Sequence, residues 1–156
     1  MKMKALLITG GCGFIGSHFI RLLRAEKPQW RIVNLDLLTY AGNVENLADL
    51  NFGGDDPRYR FVQGDIADSS LVRQIFATES LDGIVNFAAE THVDRSLLNS
   101  APFVRTNIEG VRVLLEVATQ YGTKRFLQVS TDEVYGSLAP DEAAFSEDSP
   151  LNPNSP

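Results

Sequence analysis

The sequence predicts an α/β domain in which helices cover both faces of a parallel sheet, a doubly wound fold. Short apolar runs of strand length alternate with segments of helical spacing up to about residue 130. The first run, residues 4–9, passes directly into a glycine-rich turn and a helical segment. The second run ends in an acid, Asp36, about 20 residues beyond the last of those glycines. This order of elements is typical of a Rossmann-type domain.

Five strands and four helices are predicted in order. The strands are 4–9, 31–36, 59–63, 84–89 and 125–130. The helices begin at Phe14, at Val44, after Asp68 or Ser69, and at Pro102. In the first helix the repeating positions are Phe14, Ile15, His18, Phe19, Leu22 and Leu23. The second should end at Asn51 and the glycine turn 53–57, and residues 90–95 should form a polar loop.

The helix predicted over 102–121 is apolar on two faces. One stripe consists of Val104, Ile108, Val111, Leu115 and Ala118, and the other of Phe103, Leu114, Val117 and Tyr121. A helix that covers one side of a sheet needs a single apolar stripe, so the additional one predicts contact with another helix or another subunit. Gly122 is expected to end this helix as a C-cap.

Composition narrows the classes of function. A chain of 156 residues has room for one domain with a real core. Its net charge of −6 argues against a general surface for nucleic acid or anionic membrane. The single cysteine suits a reducing compartment, and no apolar run reaches the length of a signal-peptide core or a membrane span. We therefore expect a cytoplasmic protein.

The glycine turn over 10–16 predicts that the domain binds a dinucleotide. Its glycines allow a tight bend, a close approach of pyrophosphate to the backbone, and close packing of helix on strand. The anion then lies at a helix N-terminus, where unpaired N–H groups and the dipole favour negative charge. Asp36 would accept hydrogen bonds from both ribose hydroxyls and repel a 2′-phosphate, which favours NAD over NADP. The alternative is a glycine turn and a surface aspartate brought together by chance.

The carboxyl ends of the later strands supply further candidates. Asp65 and Ile66 would lie beside the adenine, the first bonded to its amino group and the second packed on its face. Asp65 could equally be a helix cap after a strand. Ala88 and Ala89 are small enough to let a cofactor pass, although core packing would also explain them.

Thr131, Asp132 and Glu133 place a hydroxyl and two acids at the end of the fifth strand, facing the nicotinamide half of any bound NAD. Adjacent carboxylates in a partly buried cleft can act as acid and base respectively. An acidic turn without a chemical role is the plainer alternative.

Four stretches resemble the extended short-chain dehydrogenase/reductase family, the NAD-dependent epimerases and dehydratases of nucleotide sugars. They are 9–17 (TGGCGFIGS), 36–43 (DLLTYAGN), 88–96 (AAETHVDRS) and 130–136 (STDEVYG). Within that family they are most similar to the dTDP-glucose 4,6-dehydratases, because related epimerases lack the Asp-Glu pair. Those lyases oxidise sugar C4 by hydride transfer to NAD, eliminate water across C5–C6, and return the hydride to C6.

The resemblance implies a role for each matching residue. Cofactor contacts are implied for Gly10, Gly13, Phe14, Ile15, Gly16, Asp36, Leu37, Leu38, Thr39, Asp65, Ile66, Phe87, Ala88, Ala89, Glu90, Thr91 and Thr106. Thr91 and Thr131 would contact the sugar nucleotide, dTDP-glucose. Asp132 would protonate the departing C6 hydroxyl, and Glu133 would take the C5 proton. The long helix would form a homodimer.

The family's tyrosine, followed four positions later by lysine, is not found. Four residues beyond the tyrosines at 40, 59, 121 and 135 stand Val44, Gln63, Arg125 and Ala139. We therefore expect residues 1–136 to be an NAD-binding domain, incomplete at its C-terminal side, and 137–156 an acidic, proline-rich loop. The tyrosine–lysine helix and the sugar-nucleotide domain would be absent. Such a chain should bind NAD without turnover.

Two alternatives stay open: another nucleotide-sugar epimerase or dehydratase, and a non-catalytic NAD-binding module. The acid pair argues against the epimerase and the module, whereas the missing tyrosine–lysine pair favours the module. Cys12 and His18 are expected to pack rather than react. His92 lies in the substrate-side loop, but two histidines without ligand spacing predict no metal site.

Overall fold

A computed structural model of the chain describes residues 4–50 and 56–155. The predicted helix end at Asn51, the glycines that follow it, and Pro156 lie outside the described residues.

Five parallel strands form one sheet in the order β3-β2-β1-β4-β5. They are β1 (Ala5–Thr9), β2 (Arg31–Asp36), β3 (Tyr59–Gln63), β4 (Gly83–Asn86) and β5 (Phe126–Gln128). The helices are α1 (Phe14–Glu26), α2 (Ser69–Thr78), α3 (Val93–Leu98) and α4 over 101–120, with 3-10 turns at Val44–Leu50 and Asp132–Tyr135. The predicted α/β fold is confirmed. The strand order reverses between β1 and β4, and a crevice for ligands is expected at that point.

The two faces of the sheet are covered by different helices. Along β2, Ile32 packs in the cluster that contains Ile20 of α1, and Val33 packs in the cluster of α2 and α4 that contains Leu114. This alternation follows from the two-residue period of a strand. Because both faces are covered, β2 is buried along nearly its whole length.

Several local predictions are wrong, wholly or in part. In α1 the predicted apolar face contacts the core only in part: Phe19 and Leu23 pack beside the buried Ile20, whereas Phe14 is 77% exposed. A Cβ at Gly16 would lie 2.3 Å from the Gly10 oxygen, so the glycine side of the helix faces the turn. The polar loop predicted over 90–95 contains the start of α3, whose apolar pattern is too short to give a helical signal. In addition, β4 ends at Asn86 rather than at residue 89, and β5 is limited to Phe126–Gln128.

α4 is continuous but not uniform. Ala101–Phe103 and Val111–Gln120 are α-helical, and Val104–Gly110 between them is π-helical. Residues of one predicted stripe are buried, namely Phe103, Leu114 and Val117, while Val104, Ile108 and Leu115 of the other are 51%, 63% and 44% exposed. Ala118 is buried despite its predicted place on the exposed stripe, because it lies one turn beyond Leu114.

Within residues 4–50 and 56–155, no helix has the length and apolar character needed to cross a membrane.

Candidate functional site

Two adjoining cavities open at the carboxyl ends of the strands. The first lies beside the glycine turn and the ends of β2 and β3, and the second, of about 440 Å³, lies between α3, α4 and the end of β5. Both are lined by Ala88, Ala89 and Glu90. Because they share these residues, the two cavities form one continuous cleft.

Most of the predicted cofactor residues line the first cavity: Gly10, Gly13, Asp36, Leu37, Thr39, Asp65, Ile66, Phe87, Ala88, Ala89, Glu90 and Thr106. Thr91, Thr131 and Glu133 line the second. Phe14 and Ile15 form the exposed first turn of α1, and Gly16 is buried behind them. Leu38 and Asp132 are not among the lining residues.

The glycine turn is crowded against β4. Gly10 has φ of +67°, and a Cβ there would lie 2.6 Å from the backbone nitrogen of Ala88. Backbone hydrogen bonds hold the turn in place. The N–H of Gly10 donates to the oxygen of Leu35 in β2, and the N–H of Gly13 donates to the oxygen of Gly10. No side chain caps α1, so the N–H groups at its start remain available to an anion.

Asp36 is fixed by the backbone around it. The side chain is buried, with the residue 7% exposed, and its carboxylate accepts the N–H of Cys12 and the N–H of Leu38, each at 2.8 Å. Leu38 has φ of +58°, a conformation that few non-glycine residues adopt. A Cβ at Gly42 would lie 2.7 Å from Asp36 Oδ1, so only glycine lets the loop 37–43 wrap this closely.

Cys12 packs below the turn, as the sequence predicts. Its residue is 1% exposed, and its sulfur lies 3.5 Å from Nδ2 of Asn34. Burial, followed by the negative charge of Asp36, raises the pKa of the thiol to about 11. The thiol is therefore protonated at neutral pH, and this is the form that packs well rather than the nucleophilic form.

Asp65 does not cap α2. Asp68 does so, accepting the N–H groups of Ser70 and Leu71 at 2.9 and 3.1 Å. The hydroxyl of Ser70 also donates to Asp68 and, with these backbone bonds, lowers the pKa of that carboxyl. Asp65 Oδ1 accepts the N–H of Ala67, and Oδ2 accepts Nε–H of Arg105, both at 2.8 Å.

The acid pair lies on the Asp132–Tyr135 turn, and the side chains of Thr131, Asp132 and Glu133 are exposed rather than partly buried. The tail beyond this turn folds back on it. The N–H of Asn152 donates to the oxygen of Val134, and a Cβ at Gly136 would lie 2.2 Å from the Asn152 oxygen. Pro153 and Ser155 then close one side of the second cavity.

A row of hydrogen-bonded polar side chains crosses three neighbouring strands and ends at Gln128, which lines the second cavity. The hydroxyl of Thr9 donates to Oδ1 of Asn86, whose Nδ2 donates to Oε1 of Gln128 at 2.7 Å. Thr9 and Asn86 are both fully buried. The row runs from β1 through β4 to β5, so it fixes the end of the edge strand against the sheet interior.

Sequence reasoning missed several residues of the cleft. They include Ala41, Gly42 and Gly64 in the first cavity and Ser96, Asn107 and Gln128 in the second. Asn107 pairs with the backbone of Glu90 at both its amide atoms, 2.9 and 2.8 Å. The guanidinium of Arg95 stacks 4.1 Å from the ring centroid of Tyr40, joining α3 to the loop 37–43. Ala41, Gly42 and Ser96 lie in stretches that carry the family resemblance, whereas Gly64, Asn107 and Gln128 had no signal beyond their place beside strand ends or on a predicted helix.

The chain is similar over nearly its whole length to a known family of proteins. Residues 7–156 match the family model described as GDP-mannose 4,6 dehydratase. The chain belongs to the GDP-mannose 4,6 dehydratase family. Members of this family are expected to share the fold and the position of the cleft, whereas the chemistry is argued from the site itself.

Relatives identify a narrower group within the GDP-mannose 4,6 dehydratase family. The dTDP-glucose 4,6-dehydratase of Streptomyces griseus is 50% identical over 153 residues, which are 97% of this chain and 44% of the relative. The dTDP-glucose 4,6-dehydratase of Bacillus anthracis, solved in complex with NAD, has a TM-score of 0.84 at 41% identity, over 98% of this chain and 45% of that one. The predicted resemblance to these dehydratases is confirmed.

Epimerases share the fold at lower identity. The UDP-Glc/GlcNAc 4-epimerase of Campylobacter jejuni has a TM-score of 0.85 at 32% identity, over 97% of this chain and 44% of that one. The fold therefore does not separate the two activities, whereas the sequence identity favours the dehydratases. In each case, the chain spans less than half of the length of the protein that it matches.

Proposed function

We propose that this chain is the NAD-binding part of a dTDP-glucose 4,6-dehydratase, which converts dTDP-glucose to dTDP-4-keto-6-deoxyglucose. The observation that carries the proposal is the continuous cleft, with Asp36 fixed at one end and Glu133 beside Thr131 at the other. The same cleft holds the glycine turn that such a cofactor requires.

The residues of the first cavity fit NAD. Asp36 has each oxygen bonded to one backbone N–H, and a carboxylate oxygen can accept a second bond, so both remain able to accept a ribose hydroxyl. A 2′-phosphate would be placed against this buried negative charge, which favours NAD over NADP. The start of α1 would hold the pyrophosphate, with Phe14 and Ile15 against it, and Asp65 with Ile66 would flank the adenine.

The second cavity would hold the sugar nucleotide. Bound NAD supplies a hydride acceptor that later returns the hydride. Thr91 and Thr131 would bind the sugar, Asp132 would give a proton to the departing C6 hydroxyl, and Glu133 would remove the proton at C5. Thr91, Thr131 and Glu133 line this cavity, and Asp132 lies between two of them on the exposed Asp132–Tyr135 turn. A sensor module has no need for an acid and a base at this position, which favours the enzyme.

The proposal also assigns a role to each part of the chain. Residues 1–136 would form the cofactor domain, and residues 137–156 would form a loop.

The exposed stripe of α4, formed by Val104, Ile108 and Leu115, would pair with the same stripe of a second copy. A strictly monomeric chain in light scattering at high concentration would contradict that pairing.

We place the protein in the cytoplasm, because its single cysteine is free and buried.

Calorimetry with NAD on this chain tests the proposal, with NADP as the competing ligand. We expect NAD to bind more tightly than NADP, no turnover of dTDP-glucose by the isolated chain, and loss of the preference for NAD in Asp36→Ala. The matched control is Asp49→Ala, since Asp49 lies on the surface and pairs with Arg21. If Asp36→Ala binds NAD as the unmodified chain does, the assigned site is wrong.

A further inference from the structure

Arg105 reaches from the π-helical stretch of α4 to the rim of the first cavity. Its Nε–H donates to Oδ2 of Asp65 at 2.8 Å. The Arg105 side chain is 60% exposed, whereas that of Asp65 is 17% exposed. The next residue, Thr106, lines the same cavity. Neither the cofactor contacts implied by the family nor the acid pair uses Arg105.

The same stretch of helix also contacts the other residue beside the proposed adenine position. A Cβ at Gly110 would lie 2.5 Å from Cδ1 and Cγ1 of Ile66, so the absence of a side chain there allows Ile66 to lie against α4. Val104–Gly110 thus carries one contact to Asp65 and one to Ile66. π-helical turns inside α-helices are frequent at functional sites, where they redirect side chains.

Asp65 is held on both oxygens by different parts of the chain. The N–H of Ala67 orients Oδ1 locally, and Arg105 orients Oδ2 across a sequence separation of 40 residues. The Asx turn to Ala67 restrains one oxygen, and the second bond, from another element, further restricts rotation about the side-chain bonds. The carboxylate is therefore presented to the cavity in one orientation.

We propose that Arg105 is a positioning residue that sets the preference of the site for an adenine base. The proposal rests on the proposed function, since it assumes that the adenosine half of NAD binds in the first cavity. A carboxylate only accepts hydrogen bonds, so an oriented Asp65 favours a base with an exocyclic amino donor and disfavours one with a carbonyl at that position. Without Arg105, Asp65 can turn towards solvent, and the affinities of the site for the two kinds of base become more similar.

The measurement is the ratio of the dissociation constants for NAD and nicotinamide hypoxanthine dinucleotide, obtained by calorimetry. The two ligands differ at the edge of the base: adenine has an amino group at C6 and an unprotonated N1, and hypoxanthine has a carbonyl group at C6 and a proton on N1. One hydrogen bond to a charged group predicts about a 10-fold preference for NAD in the unmodified chain. We expect Arg105→Ala to reduce the preference to about threefold or less, and Arg105→Lys to restore only part of it, since lysine lacks the planar guanidinium.

Two comparisons separate positioning from a general effect of charge or folding. Arg112→Ala removes the same charge from the same helix, where Arg112 pairs with Glu109 and Glu116, and it should keep the full preference. In Asp65→Ala the preference should already be lost, and adding Arg105→Ala should change it no further. Thermal unfolding of each variant checks the fold, which a surface ion pair stabilises little.

The outcomes distinguish the two proposals. A full preference for NAD in Arg105→Ala overturns the inference and leaves the cofactor site in place. A further loss in the double variant relative to Asp65→Ala overturns it too, because Arg105 would then act independently of Asp65. If the unmodified chain binds neither dinucleotide, the proposed function fails, and the inference fails with it.

Discussion

The two ends of the cleft are built differently. At the β2 end, Asp36 is buried, accepts two backbone N–H groups and is enclosed by a loop that only glycine at position 42 permits. At the β5 end, Thr131, Asp132 and Glu133 are exposed on a single 3-10 turn that follows a three-residue edge strand. The first end suits a ligand bound in one fixed position, and the second suits groups that exchange protons with a ligand.

The two ends of the cleft differ because their elements are connected differently along the chain. The glycine turn, α1, β2 and the loop 37–43 follow one another in sequence and contact each other directly, as where the N–H of Asn43 donates to the oxygen of Cys12. The β5 end is held to the sheet by fewer elements, namely the pairing with β4 and the polar row from Thr9 to Gln128. We therefore expect substitutions to destabilise the two ends unequally.

The largest effect is expected from Gly10→Ala, at the β2 end. Gly10 and Gly122 share a left-handed backbone, with φ of +67° and +71°, but only Gly10 is crowded by neighbouring backbone, since nothing lies within 4 Å of a Cβ at Gly122. We expect Gly122→Ala to lower the free energy of unfolding by about 1 kcal/mol, from backbone strain alone. Gly10→Ala should lower it by about 3 kcal/mol or more, since β4 must also move.

Urea denaturation followed by circular dichroism measures both glycine variants. The matched φ values make Gly122→Ala the control for strain, so the difference between the two losses reports the contact with Ala88. Equal losses would show that the tight approach of the turn to β4 has no energetic consequence.

A smaller effect at the same end depends on pH. The pKa of the Cys12 thiol is raised from 9.0 to about 11, first by burial and then by Asp36. The folded state therefore favours the neutral thiol, so this stabilisation is complete below pH 9 and is lost as the pH rises towards 11. We expect a loss of about 2 kcal/mol in the free energy of unfolding over that interval.

Cys12→Ala should flatten this pH dependence. Part of the slope should persist, because burial also raises the pKa of Tyr59. Denaturation at a series of pH values compares the two chains. Parallel curves for the unmodified chain and Cys12→Ala would mean that the thiol is not protected from ionisation, and that the β2 end is less closed than its geometry indicates.

The fold and the β2 end could be predicted to a large extent from sequence, because both depend on local patterns. Apolar runs of strand length indicate the strands, and Asp36 ends β2 at the expected distance from Gly16. The core-facing side of α1 could be predicted only in part from apolar spacing: Phe19 and Leu23 pack beside Ile20, whereas Gly16 lies against the turn and Phe14 is exposed. The roles assigned to individual site residues stay predictions.

The remainder depends on contacts between distant residues. The Arg105–Asp65 pair joins residues 40 positions apart, and the Asn107–Glu90 pair joins residues 17 positions apart. Apolar periodicity predicts neither pair, nor the π-helical stretch that carries Arg105 and Asn107. The same holds for α3, whose position is defined by Ser96 at the second cavity and Arg95 on Tyr40 rather than by an apolar stripe.

The smallest effect is expected at Gln128, which joins β5 to the row of polar side chains that begins at Thr9. Gln128→Ala leaves Nδ2 of the buried Asn86 without its acceptor, and we expect a loss of about 1 kcal/mol in the free energy of unfolding. Hydrogen exchange should rise at the N–H of Val129, which donates to the oxygen of Asn86, and stay unchanged in β2. Gln63→Ala, at the end of the opposite edge strand β3, is the matched control and should alter neither quantity by more than about 0.5 kcal/mol. Faster exchange in β2 as well would mean that the polar row stabilises both ends together, and the contrast between them would then be one of exposure alone.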